Sequence, residues 1–182
     1  QNIIILIGSY IFYGWWDWRF LFLIVFSGLI DYFAALAMER FPSKRKFLLT
    51  LSVIANIGSL SVFKYSGFIV KNIDALLGLN GGFSLLANTP DFFLITPVGI
   101  SFYTFQTLSY SIDVYKRKLE PTKDFIAFAA FVSFFPQLVA GPIERATNLL
   151  PQFYQKRTFD YSKAVDGMRQ ILWGLFKKIV IA

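Results

Sequence analysis

The 182-residue chain has no cysteine and no histidine. It can therefore form no disulfide, thiolate nucleophile, imidazole base or His/Cys metal centre. No catalytic residue and no metal ligand is assigned within it. Charge is also scarce. Asp, Glu, Lys and Arg make up 16% of the residues, against about 25% in soluble domains. What fills the space is apolar: 55% hydrophobic residues, 19% aromatics including 22 Phe, and a mean hydropathy of +0.54. A soluble domain cannot hide that much apolar surface. The net charge of +7 sits mostly in short basic patches between apolar blocks. In that position lysine and arginine set membrane topology and are not a nucleic-acid footprint. The expected partner is a lipid bilayer, and no nucleic acid is expected.

The blocks predict an all-α, polytopic transmembrane helical bundle, because each span needs about 20 mostly apolar residues. Gln1 to Tyr13 is a first block, and Gly14 to Arg19 an aromatic turn suited to the headgroup layer. Phe20 to Met38 is a second span. The loop from Glu39 to Lys46 carries Arg40, Lys44, Arg45 and Lys46 and is placed in the cytoplasm. Phe47 to Phe63 is a third span, continuing as a helical pattern to Leu77, with Lys64 and Lys71 snorkelling. Gly78 to Pro90 reads as a loop. Phe92 to Tyr115 is a fourth block, interrupted at Pro97-Val98-Gly99 and closed by Lys116-Arg117-Lys118. Asp124 to Phe135 is a short fifth helix, Arg145 to Lys156 a short interfacial one. Tyr161 to Ala182 begins amphipathic and turns apolar. Both ends fall inside apolar stretches, so residues 1–182 are expected to be the N-terminal part of one membrane-embedded domain, cut at both ends.

Three features stand out against this background. Gly99, Tyr103, Gln106, Tyr110 and Asp113 are spaced four, three, four and three, which places them on one helix face. Such a stripe either lines a cavity or bonds helix to helix. Ser101, Thr104 and Ser109 fall off it and are expected to bond back to their own helix. Asp31 lies inside a span and needs a partner. It serves a proton relay or substrate contact or, more simply, ties its helix to Lys64, a tyrosine or another helix. Third, FFPQLVAGPIERA, residues 134–146, breaks an apolar helix. Pro136 is expected to end the helix through Phe135, and Gly141-Pro142 to force a second break. Backbone groups freed around Gln137 to Gly141 then need a polar chamber or re-entrant turn, with Gln137, Glu144 and Arg145 as side-chain partners. The plainer alternative is an interfacial loop.

Phe134 to Ile143 resembles a signature of the membrane-bound O-acyltransferases, in particular the bacterial alginate O-acetyltransferase branch. SYIFYGWWDWRF with the later Asp31-Tyr32, then PVGISFYTFQTLSYSIDVYK, then GLFKKIVIA resemble the same branch in the same order, so the resemblance covers nearly the whole chain. It implies a multi-helix enzyme of the bacterial inner membrane that takes an acyl group from a cytoplasmic donor, acetyl-CoA, without a bound cofactor. The group passes across the bilayer to an exported polysaccharide such as alginate, with an extracytoplasmic partner protein. The catalytic histidine of that family lies in a later segment, beyond Ala182. Gln137, Gly141, Pro142, Glu144 and Arg145 match the signature and are candidates for the wall of a substrate tunnel, together with Tyr103, Gln106, Tyr110 and Asp113. The alternatives are a secondary transporter, which also uses broken helices, and a non-catalytic scaffold of a polysaccharide export complex.

The topology has a direct check. A cysteine replacing Ser43 should stay unlabelled by an impermeant thiol reagent in intact cells and react after permeabilisation. Labelling of intact cells would invert the orientation.

Overall fold

The computed structural model describes residues 1–77, 84–141 and 144–181, and every regular element among them is helical. Helix α1 (Asn2–Asp17) leads through a 3-10 turn (Trp18–Phe20) into α2 (Leu21–Arg40). The turn is made by Asp17. Its backbone is extended (φ −160°, ψ 107°), its carboxylate accepts the Arg19 N–H at 3.0 Å, and the Arg19 guanidinium grips both oxygens at 2.7–3.1 Å. Helix α2 stops at Phe41, ahead of Pro42, which disfavours helical backbone in the residue before it. Helix α3 (Arg45–Leu76) follows after one 3-10 turn; its 32 residues reach about 48 Å, more than a hydrocarbon core. Two short helices, α4 (Leu85–Asn88) and α5 (Asp91–Leu94), precede α6 (Ile100–Tyr115). Then come α7 (Phe125–Val132), α8 (Phe135–Ala140) and α9 (Ala146–Tyr154). Helix α10 (Tyr161–Phe176), none of whose residues is buried, continues as a π-helical turn, Lys177–Ile181.

The expected all-α class is found. Two stretches, Asn2–Arg40 and Pro42–Leu76, are long and apolar enough to cross a membrane. The fourth expected span is instead α5, a break at residues 95–99, and the 16-residue α6. The fifth helix is only eight residues. The third runs unbroken to Leu76, because nothing between Phe47 and Leu77 removes a donor or forces a positive φ.

Helices α2, α3 and α6 pack against one another, and α7 fits between α1, α2 and α9. The apolar core runs through Phe20, Ile24, Tyr110, Phe128, Phe131 and Leu138. Aromatic contacts bind it: Tyr110 meets Phe128 at 4.7 Å between ring centroids, and Phe20 stacks on Phe92 at 5.2 Å.

The two basic loops lie at one end. The Arg45 guanidinium donates to the carbonyls of Val114 (2.5 Å) and Tyr115 (2.9 Å), the last turn of α6. Cations belong at a helix C-terminus, so this contact joins the 40–46 loop to Lys116-Arg117-Lys118. Helix α6 itself ends in a Schellman motif: Lys118 N–H bonds Asp113 O at 2.9 Å and Arg117 N–H bonds Val114 O at 3.0 Å. Arg117 occupies the left-handed position (φ 58°), where glycine is the usual residue and an L side chain costs about 1 kcal/mol.

Glycine is required at position 99. Its φ is +74°, and a Cβ there would lie 2.9 Å from the carbonyl oxygen of Leu138 in α8. Gly99→Ala should therefore lower stability by about 2 kcal/mol, seen as an earlier thermal unfolding transition of the full-length protein in detergent. An unchanged transition would mean that α8 does not press on α6 there.

Candidate functional site

The segment α7–α8–α9 makes an excursion that starts and ends at the basic end of the molecule. Tyr32 holds its start by donating to Lys123 O at 3.0 Å, and Asp124 caps α7 by accepting the Ala127 N–H at 3.0 Å. At its other end Pro151 and Tyr154 of α9 share a cleft with Glu39, Thr122 and Asp124. Between these points α8 reaches the N-terminus of α6 and presses Leu138 O on Gly99. Helix α7 is about 12 Å long and α8 about 9 Å, so neither crosses a bilayer.

The first break falls earlier than Pro136. Helix α7 ends at Val132, and Pro136 lies in the first turn of α8. Proline is at home there, because a first-turn N–H has no intrahelical partner to lose. Breaking at Ser133-Phe134 sets free the Phe135 N–H, which reaches Ser9 Oγ on α1 at 3.4 Å. The expectation of freed backbone groups from Gln137 to Gly141 is corrected for the N–H groups of Gln137, Leu138 and Gly141. Gln137 to Ala140 lie in α8 and Gly141 caps it, with Gln137 and Leu138 N–H bonding Phe134 O and Gly141 N–H bonding Gln137 O. A side chain is left unsatisfied: Gln137 is buried and its Nε2 has no hydrogen-bond partner among the described residues. Gly141 folds back so tightly that a Cβ would sit 2.8 Å from Gln137 Cα. Glu144 and Arg145 are exposed and form no side-chain hydrogen bond or ion pair among the described residues; Arg145 caps α9 with its backbone. Pro142 lies outside the described residues.

The α6 stripe is buried and divides by partner. Gln106 Nε2 donates to Phe131 O at 2.7 Å, so this side chain bonds helix to helix. Tyr110 accepts the Thr122 N–H at 3.1 Å through its hydroxyl, beneath the ring of Phe128. The Tyr103 hydroxyl is buried against that of Tyr13, which donates its own proton to Val98 O at 2.8 Å. Asp113 is buried at the basic end. The buried side-chain group left without a partner among the described residues is therefore Gln137 Nε2 on α8. Of the off-stripe residues, Ser109 bonds back to Gln106 O as expected (2.8 Å), whereas Ser101 accepts from Lys64 at 3.1 Å.

A second polar cluster was only partly foreseen. Asp31 is fully buried between α2, α3 and α6. Its Oδ1 accepts from Ser52 and from Ser111 (2.6 Å), its Oδ2 from Asn56 Nδ2 (2.8 Å). Ser27 donates to Asn56 Oδ1 at 2.5 Å and touches the Thr107 hydroxyl at 3.2 Å. The partners are thus two other helices, and not Lys64. The signal lay in plain sight. Ser27/Asp31, Ser52/Asn56 and Thr107/Ser111 are three polar pairs spaced by four in apolar helices, so each pair shares a face.

No protein-family model matches the sequence, and no solved structure matches it. Curated relatives do. The chain is 36% identical over 186 residues to a probable alginate O-acetylase of Azotobacter vinelandii, which covers all of this chain and 36% of that protein. It is 38% identical over 186 residues to the corresponding protein of Pseudomonas syringae pv. tomato, covering all of this chain and 35% of that one. A peptidoglycan O-acetyltransferase of Helicobacter pylori is 34% identical over 206 residues, covering 98% of this chain and 38% of its own length. The chain spans about a third of the length of the curated relatives it matches.

The Asp31 cluster can be tested apart from any activity. Asp31→Leu strands three buried donors and should cost about 3 kcal/mol or more, while Asp31→Asn, which keeps an acceptor, should cost less. Thermal unfolding of the full-length protein in detergent reads both. Equal stability of Asp31→Leu and the parent would show that the three helices do not depend on this carboxyl.

Proposed function

We infer, from the place of this chain in the alginate O-acetylase branch of the membrane-bound O-acyltransferases, that the protein is a multi-pass membrane enzyme that O-acetylates an exported polysaccharide. The observation that carries the reading is the match along the whole chain to proteins named as O-acetylases of alginate and of peptidoglycan. The distribution of polarity supports the membrane half. Large apolar residues such as Ile4, Ile11, Leu51, Ile54 and Phe68 are exposed, while Ser27, Asp31, Ser52, Asn56, Thr107 and Ser111 are buried. That inverts the arrangement water favours and suits lipid, in which polar side chains turn inward. On this reading the basic end faces the cytoplasm, by the positive-inside rule, and the tryptophan turn lies in the outer headgroup layer.

The acetyl donor is acetyl-CoA at the cytoplasmic end, and an extracytoplasmic partner protein receives or directs the acetyl group at the other. Residues 1–182 build part of the wall between them. The α7–α8–α9 excursion supplies what an acetyl group crossing the bilayer needs, a place where regular helix gives way to polar side chains sheltered by protein. Gln137 Nε2 is a buried donor with no partner among the described residues, so a passing carbonyl oxygen or water gains a hydrogen bond there without displacing another. Alginate is the acceptor class favoured by most of the named relatives, with peptidoglycan as the second.

Gln137→Leu separates this role from folding, because the amide nitrogen it removes has no bond to lose. The full-length variant should reach the membrane at normal levels and transfer acetate at least ten-fold more slowly, a barrier change of about 1.4 kcal/mol. Tyr110→Phe should also lower transfer, through the lost anchor for Thr122. Ester-linked acetate in secreted alginate and in peptidoglycan, with and without the gene, identifies the polymer. Unchanged acetate for both variants would remove these residues from the passage.

A further inference from the structure

The arginine at position 117 occupies a place where backbone geometry calls for glycine. It closes the Schellman turn of α6 at φ 58°, and nothing in the fold uses its side chain. The guanidinium is exposed and makes no hydrogen bond or ion pair among the described residues. The electrostatic need of this helix end is already met by Arg45, whose guanidinium sits on the carbonyls of Val114 and Tyr115. Lys116 and Lys118 flank Arg117 and are exposed as well, as are Lys44 and Lys46 on the loop that Arg45 ties to this turn. None of them pairs with a carboxylate: the ion pair found among the described residues joins Arg19 and Asp17, at the opposite end. The position of the patch says what it meets. It caps the ends of α2 and α6 and the start of α3, and two exposed aromatics lie in the same stretch, Phe41 before the loop turn and Phe47 in the first turn of α3. Aromatic rings next to unpaired cations at the end of apolar helices match the boundary between acyl chains and headgroups.

We propose that Lys116, Arg117 and Lys118, with Lys44 and Lys46 of the facing loop, bind the phosphate of an anionic phospholipid in the leaflet at the basic end. The arginine contributes a planar fork that takes phosphate oxygens two at a time. The lysines add charge, and Phe41 and Phe47 hold the loop at headgroup depth. A strained turn is kept because its residue has a ligand outside the protein. The proposal rests on the membrane reading and is independent of acetyl transfer. Lipid phosphate, and not the phosphates of a nucleotide-bearing donor, is the chosen ligand, because the patch is an open surface at the ends of the apolar helices.

The test uses the full-length protein in neutral detergent micelles doped with phosphatidylglycerol or phosphatidylcholine, with retained lipid counted by native mass spectrometry. Phosphatidylglycerol should be retained in preference to phosphatidylcholine, and less so as salt rises. Arg117→Gly should weaken that retention about five-fold, the worth of one cation at an anionic surface, and leave the unfolding temperature equal or higher. Arg117→Lys, which keeps the charge and loses the fork, should bind between the parent and Arg117→Gly. Lys116→Gln with Lys118→Gln should weaken retention about 25-fold by the same measure. The proposal is overturned by equal retention of the two lipids or by full phosphatidylglycerol binding in Arg117→Gly. It is overturned too by a lower unfolding temperature in that variant, which would make the arginine structural. Displacement of phosphatidylglycerol by free coenzyme A would assign the patch to nucleotide phosphate instead.

Discussion

A carboxyl group with no water in reach must find its hydrogen bonds in protein, and in this chain three helices are arranged around that requirement. Asp31 draws Ser52 and Asn56 from α3 and Ser111 from α6 onto α2. The bonds do more than attach. In lipid the apolar faces of helices gain little by meeting one another, since acyl chains are as apolar as leucine. Directional polar contacts then choose which helices become neighbours and in what rotation. With α2, α3 and α6 set in this way, the neighbouring face of α6 is left for the excursion that follows, where Gln106 and Tyr110 fasten it.

That excursion is held by two kinds of contact. One is steric: Gly99 and Gly141 admit main chain where any side chain would collide. The other is polar and unfinished. Gln137 is buried with hydrogen-bonding capacity left over among the described residues, in a fold that otherwise pairs such groups with care. Unspent capacity in a well-packed region is costly to keep, and the proposed acetyl passage would give it a use. Arg117 is the same kind of departure on the surface, a left-handed residue that is not glycine. Local rules broken without internal compensation tend to mark places where a molecule meets something else.

Much of the helical plan was legible from composition and blocks, because apolar length and basic punctuation are one-dimensional signals. The second and third helices were read within a few residues, and the common end of the two basic loops followed from charge alone. The reading failed where a residue has two admissible roles. Pro136 was taken as a helix stop and is a helix start, since proline is tolerated in a first turn and excluded from an interior, and only the position of the neighbouring turn separates the two. The polar stripe on α6 was found, but half of what α6 carries was not. Thr107 and Ser111 matter because of Ser27 and Asp31, each 80 residues away in the chain.

What the sequence by itself determined is the environment and the element type. No cysteine or histidine means no thiol or imidazole chemistry in these residues, and long apolar runs with sparse charge mean helices suited to lipid. Periodicity also tells which residues share a face. What only the tertiary structure decided is which face meets which, and which polar groups are left over once all pairings are made. Period and propensity act within a few residues along one helix. Hydrogen bonds such as those of Asp31, and close approaches such as Leu138 on Gly99, depend on distances between helices that no local pattern encodes.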